Sequence, residues 1–206
     1  QELEEKKYSN MILFHKKLIV STLTTHVKLK SVSQLIKSNN FIYKKIKGIH
    51  LSLIKDFGIK KPNILVSGLN PHAGENGYIG NEEKEFIIPV INKLKKKGIV
   101  IHGPASADSM LNSYNLKSYN CFIFMFHDQA LIPFKYISKF SGVNYTGNLD
   151  IIRTSPDHGT AYDIVNKKNI SNKSLLNCFK LINKINKNRK KYGNKSKKIT
   201  ESKFYQ

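Results

Sequence analysis

Short runs of apolar and β-branched residues alternate along the chain with longer segments in which apolar residues recur every three or four positions. The short runs predict strands at residues 11–14, 18–23, 63–67, 99–101 and 121–126, of which the first two are expected to pair. The longer segments predict helices at residues 31–57, 82–97 and 175–185. Strands that alternate with helices indicate an α/β protein with a mostly parallel sheet.

Two regions depart from this simple alternation. The first helical segment is interrupted near Asn39 and again at Gly48, because neither residue type favours a helix interior. The run at residues 121–126 is apolar throughout, as in strands that are buried on both faces. It leads into His127, after which turn residues are frequent up to residue 163, and no helix is predicted in that stretch.

The charge of the chain changes this picture little. Its 206 residues carry a formal net charge of +21, from 35 Lys and Arg against 14 Asp and Glu. Arg153 and Arg189 are the two arginines, so 33 (35 − 2) of the basic residues are lysines spread along the chain. Nucleic-acid readers favour arginine, so we expect no nucleic-acid partner. The densest lysine run lies within residues 183–206, which are expected to form a solvated C-terminal tail.

The composition of the chain also indicates its cellular compartment. The chain is 40% apolar, which argues against disorder. Cys121 and Cys178 lie in apolar segments and are expected to be buried thiols, which suits the reducing cytoplasm. No apolar run reaches the roughly 18 residues that a membrane helix needs, and no segment has the layout of a secretory signal. We therefore expect a cytoplasmic protein without a membrane partner.

Three of the seven histidines share one context. His26, His72 and His127 each stand directly after an apolar run or in the loop that the run enters. In open α/β sheets, ligands bind at the loops that leave the carboxyl ends of strands. Three neutral imidazoles converging there would suit a divalent metal with an open coordination position. The alternative is that these histidines only form hydrogen bonds at the rim of the core, since no local ligand motif such as HExxH is present.

Other polar residues lie near these histidines in the sequence. The loop at residues 68–80 contains four glycines around His72, and glycines permit positive φ and the close approach of backbone N–H groups to an anion. The loop matches neither common nucleotide-binding motif. Asp108 and Asp128 could orient a histidine or accept a substrate ammonium group, or each could cap a helix.

A third group consists of Lys135, Asn144 and Arg153, which lie within the stretch that is richest in turn residues. A lysine, an amide and an arginine together form a plausible cage for a phosphate or a carboxylate. By spacing alone this would be a weak indication.

The segments LNPHAGE, FHDQALIPFKY, SGVNYT and IIRTSPDHGTA, in that order, resemble the NAD-dependent 4-hydroxythreonine-4-phosphate dehydrogenases of pyridoxal phosphate (vitamin B6) biosynthesis. The resemblance runs from about residue 11 to residue 182. It implies an isocitrate/isopropylmalate dehydrogenase-like fold with α/β/α layers, and a homodimer whose active site lies between two domains and includes residues of both subunits. Residues 1–30 would then be strands and linker from the interdomain region, and residues 31–182 the metal-, substrate- and cofactor-binding portion.

The resemblance also implies roles for single residues. The metal ligands would be His26, His72 and His127. The catalytic residues would be Lys135, Asp108 and Asp128, and the substrate-binding residues Lys135, Asn144 and Arg153. The adenosine part of the cofactor would lie against Asp157, His158, Gly159, Thr160 and Ala161.

The implied reaction uses NAD (or NADP) and one divalent metal ion, Zn, Mg or Co. The cofactor would accept hydride from the hydroxyl-bearing carbon of 4-phosphooxy-L-threonine. The oxidised acid would then lose carbon dioxide and give 3-amino-2-oxopropyl phosphate. A metal ion on the substrate hydroxyl would lower its pKa.

Two departures from the family pattern leave alternatives open. The family's N-terminal portion, with a His-Thr pair that contacts substrate, is missing from this chain. After the loop 157–161, residues 162–166 replace the Ala-Gly-like step that is usual in the family. The chain is therefore either the larger part of an enzyme that needs the missing segment, or a non-catalytic remnant that retains the fold and the dimer surface.

Overall fold

The computed structural model describes residues 8–157 and 171–204, with side chains up to residue 194. Within these residues, seven strands form one sheet in the order β4-β3-β5-β2-β1-β6-β7. The strands are β1 (Asn10–His15), β2 (Leu18–Thr22), β3 (Asn63–Ser67), β4 (Val100–Ala105), β5 (Cys121–Phe124), β6 (Val143–Gly147) and β7 (Arg153–Pro156). The helices are α1 (Leu29–Ile36), α2 (Asn39–Lys55), α3 (Ile88–Lys96), α4 (Ser113–Ser118), α5 (His127–Ser138) and α6 (Lys173–Phe204).

The sheet has a parallel half and an antiparallel half. Strands β2, β5, β3 and β4 run parallel to one another. Strand β1 pairs antiparallel with both β2 and β6, and β7 completes the sheet antiparallel to β6. The α/β class and the pairing of the first two strands are thus confirmed. Because β1 and β7 run opposite to the parallel strands, the starts of these two strands lie at the edge where the parallel strands end.

The helical segment at residues 31–57 divides at one of its two expected breaks. Helix α2 begins after Ser38, whose side-chain oxygen accepts a hydrogen bond from the Phe41 N–H at 3.3 Å. Gly48 lies within α2 and does not interrupt it. A Cβ at this position would approach Asn10 Nδ2 of β1 to 2.5 Å, so the absence of a side chain lets the helix pack closely on the sheet.

Two regions differ from the sequence expectation. The stretch that was expected to consist of turns contains α5, β6 and β7. Local signals are misleading there, because α5 contains Pro133. Strand β6 is fixed by pairing with β1, and β7 by pairing with β6, rather than by their own composition. In addition, α6 continues to Phe204, so the lysine-rich residues that were expected to form a solvated tail are largely helical.

The core has one cluster on each face of the sheet, as the α/β/α architecture requires. Alternate residues of the strands point to opposite faces, so Ile12 joins one cluster and Leu13 the other. The first face packs against α1, α2, α3 and α6, and the second against α5. Cys121 and Cys178 are buried thiols in the first cluster. In the described part of the chain, no helix combines the length and the apolar character needed to cross a bilayer.

Candidate active site at the carboxyl edge of the parallel strands

Three adjacent strands place the three selected histidines at one edge of the sheet. Strand β5 lies between β3 and β2, and the three run parallel. His26 follows the end of β2, His127 the end of β5 and His72 the end of β3. Residues that are far apart in the sequence are therefore carried to neighbouring loops. This edge is where ligands bind in sheets of this kind.

Two of the three imidazoles face each other directly. The ring centroids of His26 and His127 are 5.4 Å apart, with the ring planes at 47°. A metal–nitrogen distance of about 2.0–2.1 Å places two imidazoles on one ion with ring centres roughly 5 Å apart. The separation of this pair is thus compatible with two ligands of one divalent ion.

Asp128 orients one of these rings. His127 is the first residue of α5, and its Nδ1 lies 2.7 Å from Asp128 Oδ1. With the Nδ1–H donating to the carboxylate, Nε2 is the nitrogen that can bind a metal. Of the roles considered for Asp128, the geometry favours orientation of the histidine. Asp108 is exposed in the short helical turn Ala107–Ser109 that follows β4, at the same edge of the sheet.

His72 stands apart from this pair. It is exposed and begins a left-handed turn in which residues 72–77 all have positive φ. Non-glycine residues in this conformation cost roughly 1–2 kcal/mol each, so the turn needs support from its surroundings. Among the described residues, no group of three or more His, Cys, Asp or Glu side chains is close enough to hold a metal ion. The structure thus assembles two of the three expected ligands and places the third on the adjacent loop.

The loop that carries His72 is held by a buried carboxylate. Glu83 is 3% exposed, and its Oε1 accepts hydrogen bonds from the backbone N–H groups of Leu69 (2.7 Å) and Asn70 (2.8 Å). Its Oε2 accepts a further bond from Asn70 Nδ2 at 3.0 Å. Glu83 was not among the candidate site residues selected from the sequence. A signal existed, because Glu83 lies four residues before the buried Ile87, in the helical turn Glu83–Ile87 that leads into α3, and so on the buried side of that turn.

Gln129 joins two of the loops at this edge. Its Oε1 accepts hydrogen bonds from the backbone N–H of Met125 (2.9 Å) and from Ser67 Oγ (3.3 Å). Its Nε2 donates to the carbonyl oxygen of Gly68 at 3.1 Å. The side chain thus connects the end of β5 to the end of β3. Although Gln129 stands in a quoted motif, the sequence did not indicate this bridging position.

Asn144 and Arg153 lie on the same face of the sheet. Asn144 is paired with Leu13, and Thr146 with Arg153, and cross-strand partners point to the same side. Arg153 Nη1 donates to Thr146 Oγ1 at 3.0 Å. Leu13 packs in the cluster that α5 covers, so these side chains lie on the α5 side of the sheet.

Lys135 belongs to the same side but lies further from the edge. It is eight residues beyond His127 in α5, a rise of about 12 Å along the helix. Its ammonium group lies 5.7 Å from the ring centroid of Phe140. Within the described residues, no hydrogen bond joins Lys135, Asn144 and Arg153 to one another, so the expected anion cage is grouped on one face without being closed.

The expected cofactor loop is described at one position. Asp157 is buried, and a Cβ on Gly142 would approach its Oδ2 to 2.9 Å, so the carboxylate packs against that glycine. The Asp157 N–H donates to Ser174 Oγ at 3.0 Å. His158, Gly159, Thr160 and Ala161 lie outside the described residues.

A cleft of about 750 Å³ lies at the opposite edge of the sheet, between the β1–β2 turn, the end of α5 and α6. None of the candidate site residues lines it. Five lysines do, at Lys16, Lys139, Lys173, Lys180 and Lys184. Because lysine is abundant throughout the chain, this lining does not mark the cleft as a second active site.

Comparison with known proteins gives consistent similarities. Residues 1–182 match the model of the family described as "Pyridoxal phosphate biosynthetic protein PdxA". The chain is 40% identical over 183 residues to the 4-hydroxythreonine-4-phosphate dehydrogenase of Bacteroides thetaiotaomicron, covering 89% of this chain and 50% of that protein. It is 45% identical over 172 residues to the enzyme of the same name from Aquifex aeolicus, covering 84% and 52%. The chain thus spans about half the length of the curated relatives it matches.

Solved structures agree with these matches. The crystal structure of 4-hydroxythreonine-4-phosphate dehydrogenase from Klebsiella pneumoniae has a TM-score of 0.75 and 34% identity, covering 86% of this chain and 53% of that one. A terephthalate 1,2-cis-dihydrodiol dehydrogenase from Burkholderia xenovorans has a TM-score of 0.67 and 26% identity, covering 84% and 55%. This chain therefore shares its fold with both dehydrogenases, and it resembles the first more closely in sequence.

Proposed function

Since the chain belongs to the family of the pyridoxal phosphate biosynthetic protein PdxA, we propose that it supplies the metal- and substrate-binding part of a 4-hydroxythreonine-4-phosphate dehydrogenase. The substrate would be 4-phosphooxy-L-threonine and the cofactor NAD or NADP. The nicotinamide, when bound, would accept hydride from the hydroxyl-bearing carbon, and the hydroxyl proton would be released. Loss of carbon dioxide from the resulting 3-oxo acid then yields 3-amino-2-oxopropyl phosphate. Identities of 40–45% to relatives of that name support this substrate.

The facing pair His26 and His127 is the observation that carries the proposal. With His72 from the adjacent loop, these imidazoles would hold one divalent ion, Zn, Mg or Co. The donor set fits Zn or Co better than Mg, because neutral imidazole nitrogens suit transition-metal ions whereas Mg prefers oxygen ligands. His127 also has the carboxylate partner that metal-bound histidines commonly have. The ion would lower the pKa of the substrate hydroxyl.

The remaining residues would bind and orient the substrate. Arg153 offers a planar fork and Lys135 a point charge for the phosphate and carboxylate groups, and Asn144 can donate from its amide. Asp128 holds the His127 ring with Nδ1 toward its own carboxylate, which leaves Nε2 as the nitrogen for the metal. Asp108, exposed at the same edge, would accept a substrate ammonium group or proton. We assign the adenosine of the cofactor to the loop at residues 157–161.

A homodimer is part of the proposal. Helix α5 and the turn after it present apolar side chains to solvent, with Ile132, Tyr136 and Phe140 exposed by 69, 85 and 62%. Ile132 and Tyr136 are four positions apart and thus share one side of the helix, next to Lys135, whose ammonium group lies 5.7 Å from the ring centroid of Phe140. Exposed apolar surface of this kind supports a partner subunit beside the substrate-binding side chains. The buried thiols support a reducing, cytoplasmic location.

The test measures the reduction of NAD in the presence of 4-phosphooxy-L-threonine and Co²⁺, Zn²⁺ or Mg²⁺, with the absorbance of NADH as the readout. The chain is assayed alone and with the N-terminal half of a full-length relative supplied in trans. We expect turnover in the second case, with a loss of at least about 100-fold for His127→Ala. His102→Ala is the matched control, because His102 is exposed on β4 and is not a candidate ligand. Stable folding with no turnover under any condition would instead favour the non-catalytic remnant.

A further inference from the structure

We propose that Glu83 is a positioning residue for His72, and that it sets the metal affinity of the site through that histidine. The inference rests on the proposed metal site. It concerns a residue that is neither a proposed ligand nor in contact with the proposed substrate groups.

The first observation is that Glu83 holds the segment directly before His72. One carboxylate oxygen accepts both the Leu69 and the Asn70 backbone N–H, at 2.7 and 2.8 Å. These are charge-assisted bonds to a carboxylate that is almost wholly buried, and such bonds are shorter and stronger than neutral ones. They fix the direction in which the chain leaves β3, two residues ahead of His72.

The second observation is that the same carboxylate lies beneath the turn that follows. Gly74 has φ +82, and a Cβ there would approach Glu83 Oε2 to 2.6 Å. The backbone of the left-handed turn is therefore packed against this carboxylate from one side. His72 itself has φ 50, a conformation that persists only where the surrounding structure imposes it.

Neighbouring acids do not share this position. Glu82 accepts hydrogen bonds from Ser33 Oγ at 2.7 Å and from Asn70 Nδ2 at 2.9 Å, and these lower its pKa. It therefore ties the loop to α1 through one side chain but makes no backbone bond to it in the described structure. Glu85 is exposed on the same helical turn. Of these three glutamates, Glu83 is the one that combines hydrogen bonds to the loop backbone with the contact to Gly74.

The experiment measures Co²⁺ affinity of the whole chain from its visible absorption spectrum, in Glu83→Ala and in the matched control Glu85→Ala. We expect Glu83→Ala to weaken Co²⁺ binding at least about tenfold, as the loss of a ligand-orienting contact does. Glu85→Ala should leave the affinity unchanged. Equal affinities in the two variants would overturn the proposal.

A double-variant cycle separates positioning from a general effect on the fold. In a His72→Ala background, Glu83→Ala should cause no further loss of Co²⁺ affinity, because the residue through which it acts is gone. The same tenfold loss in both backgrounds would contradict the inference. If Glu83→Ala does not fold, Glu83→Gln and Glu83→Asp replace it. Glutamine keeps the reach to Leu69 and Asn70 and should retain more affinity than aspartate, which keeps only the charge.

A metal-independent readout distinguishes failure of this inference from failure of the proposed function. If the wild-type chain binds no Co²⁺, the proposed metal site fails. Amide hydrogen exchange at Leu69 and Asn70 and the imidazole resonances of His72 are then compared between Glu83→Gln and Glu85→Gln. Faster exchange and shifted His72 resonances in the first variant alone would uphold positioning by Glu83. No difference between the variants would overturn it.

Discussion

Arg189 and Arg153 lie in regions of opposite character. Arg189 is 13% exposed and meets Asp56, which is 2% exposed, through an Nε–Oδ1 contact of 2.7 Å. Its Nη groups also donate to Tyr145 Oη at 3.0 Å and to the carbonyl oxygens of Asp150 at 2.6 Å and Leu149 at 3.0 Å. Arg153, by contrast, is exposed on the edge strand β7, and its recorded hydrogen bond is to Thr146.

Strand β6 lies between these regions, with one face toward Arg189 and the other on the side of Arg153. Tyr145 points to the buried face, where its hydroxyl donates to Asp56 Oδ2 at 2.6 Å. Burial, followed by the charge of Asp56, raises the pKa of Tyr145, so the phenol remains a donor at neutral pH. Burial alone would lower the pKa of Arg189, but the hydrogen bond and charge of Asp56 outweigh it and raise that pKa. The adjacent Asn144 points to the opposite face, with Arg153.

The difference shows what arginine does in a lysine-rich chain. At Arg189 the planar fork satisfies four acceptors from three parts of the chain, which a single ammonium group cannot do. At Arg153 the fork remains exposed to solvent, at the edge of the sheet where a ligand would bind. The first position serves folding, and the second is expected to serve recognition.

The largest expected effect is on stability. Arg189→Ala leaves Asp56 buried without its charged partner, and breaking a buried pair in this way costs about 3–5 kcal/mol. Arg189→Lys should lose only part of that free energy of unfolding, because lysine keeps the charge but not the planar fork of donors. Arg153→Ala is the matched control and should change the free energy of unfolding by less than about 0.5 kcal/mol. Urea unfolding followed by circular dichroism measures all three, and equal losses for the two alanine variants would refute the contrast.

The order should reverse for ligand binding. Arg153→Lys keeps the charge but loses bidentate geometry, so we expect the affinity for 4-phosphooxy-L-threonine to fall about tenfold. Arg189→Lys should leave that affinity unchanged, because the side chain lies on the other face of the sheet. Isothermal titration of the metal-loaded protein measures both affinities. A weaker affinity in the Arg189 variant only would show that the roles have been assigned the wrong way round.

The smallest expected effect concerns pH. Burial lowers the pKa of His50, and burial together with the charge of Lys16 lowers that of His15, from the ordinary 6.5. Below pH 6.5 the unfolded chain therefore binds protons that the folded chain resists, and stability falls as the pH drops toward the folded-state pKa. His50→Gln should flatten the decline in unfolding free energy between pH 6.5 and 5. An unchanged slope would place the acid sensitivity elsewhere, for example in Glu82.

Much of the fold was predicted from local patterns, and each element that was missed has an identifiable physical cause. The strand at residues 63–67 was predicted with the bounds that the structure has, because its three consecutive apolar residues between Asn63 and Ser67 are typical of a buried strand. Helix α5 was missed because Pro133 and the flanking turn residues disguise it. Strands β6 and β7 were missed because their own composition does not mark them: β6 is fixed by the ladder with β1, more than 120 residues earlier, and β7 by the ladder with β6.

The sequence by itself determined which chemistry is present and, through the strands that precede them, that His26, His72 and His127 would lie at one edge of the sheet. Only the tertiary structure decided which groups meet. It brought His26 against His127 and buried Glu83 beneath the loop that carries His72. It also paired Arg189 with Asp56, which lies 133 residues earlier in the chain. The physical reason is that periodicity reports the burial of single residues, whereas hydrogen bonds and ion pairs depend on distances that the packed chain alone sets.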